Sequence, residues 1–375
     1  MNIRVDAKAL QTELSLAVGI VETKATIPIL SNLLIRAEGD HLELAATDLE
    51  VTLKTRCPAE VTQAGAITVP AKTFGPIVKA FSGQEAPLAI HSTPENKLFI
   101  QPEGGKQEYL LHTLPEEDYP TLLNASDAEC LSVPAEALKR CVQEALVSVG
   151  TDDNRYSIRG ALMILEPGGL TVVSTDSHRL TFTQWNGPLN VQASRRALVP
   201  RKTLIEFLKL ESGGEVKLSF KDNHIFMELG SRLLYSRLLD SAFPAYERVL
   251  PSDSDKRALV NRASFLERLR RVGMVAETKT RAVTLLFSPG GTVEMVVRNQ
   301  ETGDEGREYL VCESYEGEAV TICFNVDFLI DFLSVTSAEL VSLGMRDSGA
   351  QSVFQPIRPE SEGIHKYVVM PLRLD

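Results

Sequence analysis

Six stretches of the chain open alike: an apolar residue, then Asp, Pro or Asn, then apolar positions at helical spacing. The starts are Val5-Asp6, Val69-Pro70, Val133-Pro134, Val199-Pro200, Val260-Asn261 and Phe324-Asn325. Asp and Asn accept hydrogen bonds from the free N–H groups of a helix start, and Pro has no N–H to leave unpaired. Behind these starts, Leu10, Leu14 and Val18 form one stripe, and Leu138, Val142 and Leu146 another. Leu204 with Leu208, Phe265 with Leu269 and Phe328 with Phe332 make shorter ones. The spacing predicts helices of about three turns, each with one apolar face.

Between the helices the pattern changes to β-rich runs broken by Gly and Pro. Leu34 to Leu42 turns through residues 38–41, Leu162 to Leu170 through Pro167-Gly168-Gly169, and Leu285 to Val293 through Pro289-Gly290-Gly291. Such clusters mark hairpins. Asn2–Val5 reads as a further strand, and Gly104-Gly105-Lys106 as a hairpin tip without the spacing of a phosphate-binding loop. The run Leu170–Leu180 (LTVVSTDSHRL) has a counterpart at Leu42–Asp48 and a weaker one at Val293–Asn299, each a third of the chain away. Helix starts and hairpins repeat with the same period. The fold class expected is therefore α+β: three repeated domains, each of two helix-plus-antiparallel-strand units. The polar stretches 124–129 and 252–256 fall just before new copies and read as linkers. They set domains at 1–125, 126–253 and 254–375.

Composition narrows the class. No run approaches the roughly 20 apolar residues of a membrane span. No signal peptide is expected at the start. Five scattered cysteines without CxxC spacing fit a reducing cytoplasm, and no metal or other cofactor is expected. The formal net charge of −11 argues against gripping nucleic acid by bulk charge. The charge is uneven, however. The helix segments are net basic, and the loops after the first helices add Lys24, Arg155, Arg159, Lys279 and Arg281.

Several clusters suggest enzyme chemistry. Thr47-Asp48-Leu49-Glu50 and Asp152-Asp153 offer paired carboxylates for metal-dependent phosphodiester cleavage. The better reading is a turn: Thr-Asp recurs at a strand end in two copies, where its side chains bond the backbone. Asp176, Ser177 and His178 are adjacent in sequence and do not converge as a triad does. No catalytic residues are assigned.

At this point the chain resembles a known family. TIPILSNLLI (26–35), TDLE (47–50), TVPAKTF (68–74), TLPEEDYP (113–120), STDSHRL (174–180), VPRKTLIEF (199–207), FPAYERVLP (243–251), FNVDFL (324–329) and YVVMPLRL (367–374) resemble the bacterial DNA sliding clamp, the β subunit of the replicative DNA polymerase III holoenzyme. The motifs cover the whole chain in order. The resemblance implies a non-catalytic processivity factor: a head-to-tail homodimeric ring that encircles duplex DNA without reading its sequence. Ring closure needs a heterologous contact, and a basic lining in an acidic body suits sliding on phosphates. Carried over by position, Lys24, Lys72, Arg155, Tyr156, Arg201 and Lys202 would face DNA; given such a ring, Arg268–Arg271 would lie close to DNA, with pairing to Glu267 and the acidic body as the alternative. A partner-peptide pocket would use Thr175, His178, Arg179, Leu180, Pro244, Arg248, Val249, Asn325, Phe328, Met370, Pro371, Leu372 and Arg373. Ile77, Tyr109 and Leu111 would meet Met274 and Val275 across the dimer contact. Implied partners are the polymerase catalytic subunit, an ATP-dependent clamp loader, and other repair and replication proteins bound through short linear peptides. Ser157, Ser177 and Asp375 depart from the family pattern. A clamp-like paralogue with specialised partners, such as one giving antibiotic protection, and a nucleic-acid-processing enzyme are the alternatives.

Overall fold

The computed structural model describes all residues except 23–25, 125–128, 153–154, 192, 212, 252 and 374–375. Lys24, Asp153 and Asp375 therefore lie outside the described residues. The six expected helices are present: α1 (Ala7–Val18), α2 (Ala71–Phe81), α3 (Ala135–Leu146), α4 (Arg201–Lys209), α5 (Arg262–Val272) and α6 (Val326–Val335). The caps work as the sequence implies. Asp6 accepts from Ala9 N–H, Asn261 from Ser264 N–H and Asn325 from Asp327 N–H. Pro70 stands at the cap of α2.

The hairpins follow the Gly and Pro signals. The 32–38 and 41–47 strands pair, as do 160–166 with 169–175 and 282–287 with 292–298. Lys256, read as the end of a linker, instead opens the 256–261 strand opposite Met345. Val18 is corrected too: it ends the α1 stripe but is exposed, beside Gly75 of α2, which offers no side chain to cover it.

The chain divides into two compact units. One holds residues 1–135 with 202–238, the other 136–201 with 239–375. This division does not follow the thirds of the sequence. In the first unit the 232–237 strand, from the middle third, pairs with the 51–63 strand of the first third. In the second, the 364–369 strand pairs with 179–186 in the same way. Backbone pairing thus runs across repeat junctions, and among the described residues the sheets carry twelve, nine and four strands.

Each of these two junctions buries a charged cluster. In the first unit, Glu13 of α1 accepts from Arg232 Nη2 at 2.7 Å and Nε at 3.0 Å, and from the Thr55 hydroxyl. In the second, Glu144 of α3 accepts from Arg358 Nη1 and the Thr183 hydroxyl, both at 2.5 Å. His365 lies 3.5 Å from Glu144, fully buried against the Phe332 ring, and neither ring nitrogen has a hydrogen-bond partner. Burial pushes its pKa down to about 4, with Glu144 opposing and Arg358 assisting.

This carries a pH prediction. Below about pH 6.5 the unfolded chain protonates His365 while the folded chain does not, until about pH 4. The unfolded state then binds more protons, so stability rises with pH across that window and falls on acidification. About 2 kcal/mol is expected to be lost through this group between pH 7 and 5. Denaturant melts of the wild type and His365→Gln at both pH values check it. Equal pH dependence in the two proteins would refute the assignment.

Candidate functional site

A groove of about 150 Å³ opens in the second unit beside the Leu170–Leu180 run. Its lining is mainly apolar: Leu180, Pro244, Tyr246, Val249, Val368 and Met370, with Thr175, Ser177, His178 and Arg179 along one side. That polar side is one tight turn. Thr175 Oγ1 donates to Arg179 O at 2.8 Å and accepts from Ser177 N–H at 3.1 Å. Asp176 Oδ1 accepts from the N–H groups of His178 and Arg179, each at 3.0 Å. Thr47 and Asp48 build the same turn over residues 47–51, and Asn299 accepts from the N–H groups of Glu301 and Thr302 in the third copy. The third residue of each Thr-Asp turn has positive φ, +75° at Leu49 and +80° at Ser177.

Arg179 organises the groove wall. Its guanidinium donates to Asp176 at 2.8 Å, Asp331 of α6 at 2.7 Å and the Tyr367 hydroxyl at 3.2 Å, and it stacks 4.3 Å above the Phe328 ring. Burial alone would weaken the charge, but Tyr367, Asp331 and Asp176 more than offset it, so its pKa is raised.

Of the carried-over pocket residues, Thr175, His178, Arg179, Leu180, Pro244, Val249 and Met370 line the groove. Phe328 sits beneath Arg179. Asn325 instead caps α6 and donates to Thr280 O. Leu372 is tied to Cys323 O through its N–H, while Arg248 and Arg373 are exposed and Pro371 is half-buried. Sequence reading did not assign Ser177, Tyr246 or Val368 to the pocket. Val368 was legible in principle, because strand alternation puts it on the face of Met370.

The basic set is less free than its charge implied. Arg201 donates to Leu146 O at 3.0 Å and Val149 O at 3.4 Å, closing the end of α3. Burial, then Arg179, lowers its pKa. Lys202 pairs with Asp48 and donates to Ile20 O at 3.1 Å. Arg155 donates to Ser177 Oγ at 2.8 Å. Tyr156 is 63% exposed, with Arg159 5.1 Å over its ring. Lys72 is exposed on α2. Within Arg268–Arg271 the pairing read as the alternative is present. Arg271 holds Glu308 at 2.7 and 3.1 Å and Glu267 at 2.5 Å, and Arg268 donates to Tyr309 O at 2.7 Å. Of the expected dimer residues, Met274 is 79% and Tyr109 38% exposed, Ile77 and Val275 are half-buried, and Leu111 is buried.

Two of the carboxylates weighed for chemistry are already engaged. Asp48, from the metal reading, ties the turn and Lys202, and Asp176, from the triad reading, ties the turn and Arg179. Repeated helix-and-sheet units, with an apolar groove in the second unit, define a binding scaffold. Comparison with known proteins identifies which one. Residues 1–123, 132–245 and 247–373 match the N-terminal, central and C-terminal domains of the DNA polymerase III beta subunit. The beta sliding clamp of Pseudomonas putida is 32% identical over 100% of both chains. That of Caulobacter vibrioides is also 32% identical, again over 100% of both. The sliding clamp of Pseudomonas aeruginosa, solved bound to griselimycin, is 33% identical over 100% of both chains with a TM-score of 0.91. The chain belongs to the DNA polymerase III beta subunit family, the beta sliding clamps, and is a non-catalytic processivity factor. DNA, a dimeric ring and peptide-tethered partners are this family's mode of action.

Proposed function

We propose that the groove beside residues 175–180 takes short apolar peptide segments of the polymerase, the clamp loader and other replication and repair proteins. The observation that carries this reading is the apolar floor of Leu180, Val249, Val368 and Met370 against a wall held by Arg179. An apolar anchor fits the floor, and Met adapts to different side chains. Arg179 is committed to its own acids, so His178, exposed at the rim, is the better candidate for the peptide's polar groups.

The ring surrounds duplex DNA, and Lys72, Arg155 and Tyr156 are the side chains best exposed to touch it. Arg201 and Lys202 support that face through the backbone of α3 and through Asp48. The site of action is the cytoplasm; among the described residues no helix is long and apolar enough to cross a membrane.

The test uses nicked circular DNA and the same DNA linearised. A ring loaded on the circle stays through a high-salt wash and leaves when the DNA is cut, because retention is topological. Equal loss from both forms would refute encirclement. A fluorescent peptide with an apolar anchor should bind the free chain, and Met370→Arg should abolish that binding while leaving retention on the circle unchanged.

A further inference from the structure

Arg155, Tyr156 and Arg159 stand on a segment that is pinned at its base. Gly150 N–H donates to Ile158 O at 2.9 Å, Arg201 N–H donates to Arg159 O at 3.0 Å, and the Ile158 side chain is buried. A second tie comes from the side chain of Arg155, whose Nη1 donates to the Ser177 hydroxyl at 2.8 Å. Ser177 is the exposed tip of the 175–179 turn and lines the groove. One hydroxyl therefore touches both a cation assigned to DNA and the rim of the peptide groove.

Ser177 is an unexpected residue for that tip. Its φ of +80° suits glycine and costs a side chain energy. The turn itself does not need the hydroxyl, because Thr175 Oγ1 and Asp176 Oδ1 already close it. Among the described residues, the one hydrogen bond of the Ser177 side chain is that from Arg155. The twin turn in the first third has Leu49 in the same place, at φ +75° and exposed, with no hydroxyl to offer. The side chain able to hold Arg155 thus occurs in the turn that borders the groove and not in its twin. Ser177 is also a position where the chain departs from the family pattern. A strained residue that the local structure does not require points to a role beyond the turn.

The shape of Arg155 shows what the tie does. A guanidinium is a flat fork with donors on more than one edge. Nη1 is spent on Ser177, while Nε lies 3.9 Å from Asp152 Oδ2, beyond hydrogen-bond reach. Among the described residues, the Nε and Nη2 edge makes no hydrogen bond, and a phosphate takes such an edge through two parallel bonds. The bond to Ser177 therefore does not compete with a phosphate. It orders a side chain that is 59% exposed and would otherwise lose rotamer freedom on meeting one.

We propose that Ser177 is a positioning residue shared by two sites: its hydroxyl aims Arg155 at a DNA phosphate while its tip forms the rim of the groove, so that a peptide in the groove and a duplex in the ring strengthen each other's binding. This rests on the groove and ring readings above and adds a link between them. In the empty chain, water competes for both partners of an exposed hydrogen bond. A peptide packed on Ser177 excludes that water, and Arg155 is then already ordered when it meets the phosphate. The coupling runs both ways by the same factor.

The experiment titrates a short labelled duplex into the full chain at low salt, with and without saturating unlabelled apolar-anchor peptide, and reads anisotropy. Duplex binding is expected to be about fivefold tighter with the peptide present. The reverse titration, labelled peptide with and without duplex, should return the same factor. Ser177→Ala removes the hydroxyl and keeps the β-carbon, whereas Ser177→Gly removes the hydroxyl and relaxes the backbone. Both variants, and Arg155→Ala, are expected to abolish the factor. The readout is the factor and not either affinity, so a rim merely loosened by substitution does not imitate the result. Wild-type affinities that ignore the other ligand, a response of opposite sign, or a factor that persists in either Ser177 variant would overturn the link and leave both sites standing. A wild-type chain that binds no peptide, or no duplex, overturns the reading of that site and the link with it.

Discussion

Glu13→Ala is expected to destabilise the first unit by about 3–5 kcal/mol, because it leaves the Arg232 cation buried without its partner. Arg232 is 9% exposed, and Glu13 supplies both of its short contacts. Its remaining acid, Glu211, lies at 3.4 Å and is itself exposed. The Thr55 hydroxyl loses its acceptor in the same step. The double variant Glu13→Leu with Arg232→Met removes both charges and fills similar volume, so it should lie within about 1 kcal/mol of the wild type. Denaturant melts of the three proteins separate the effects. A single variant as stable as the double would mean that water or Glu211 already satisfies Arg232.

Arg179→Ala is expected to weaken peptide binding by about a hundredfold and to destabilise the second unit by about 2–4 kcal/mol. One side chain joins the 175–179 turn, α6 and the 364–369 strand, through Asp176, Asp331 and the Tyr367 hydroxyl. Its removal leaves the buried hydroxyl with only its own bond to Phe328 O and uncovers the Phe328 ring. Arg179→Lys retains the charge but not the planar fork, so it should hold one acid and lose the stacking. Intermediate affinity is expected for it. Fluorescence anisotropy with the apolar-anchor peptide, run beside thermal melts, reads both effects. A peptide that binds Arg179→Ala as tightly as the wild type would remove Arg179 from the groove.

Much of this architecture was readable because its signals are local. A cap such as Asp6 or Asn325 acts on N–H groups two or three residues away, and a Gly-Gly tip turns the chain where it stands. The Thr-Asp turn was legible for the same reason, since all its bonds lie within five residues. Its repetition removed the catalytic reading of Asp48 before any geometry was known.

The partners of the charged residues were not legible. Arg268 and Arg271 had the composition of a DNA face, yet the strand at 305–311 brings Glu308 and the Tyr309 carbonyl against them. Lys202 met Asp48 and Arg201 met the end of α3 across separations of more than 50 residues. Val368 and Tyr246 entered the groove through sheet register and a short turn, not through a motif of their own. The sequence by itself determined the six helices, their caps, the hairpins and the family, because periodicity and capping act between near neighbours. Tertiary structure alone decided which cations are held by acids and carbonyls of their own chain and which apolar residues line the groove. Those outcomes depend on the register of strands far apart in the chain, where one residue of slip changes every partner.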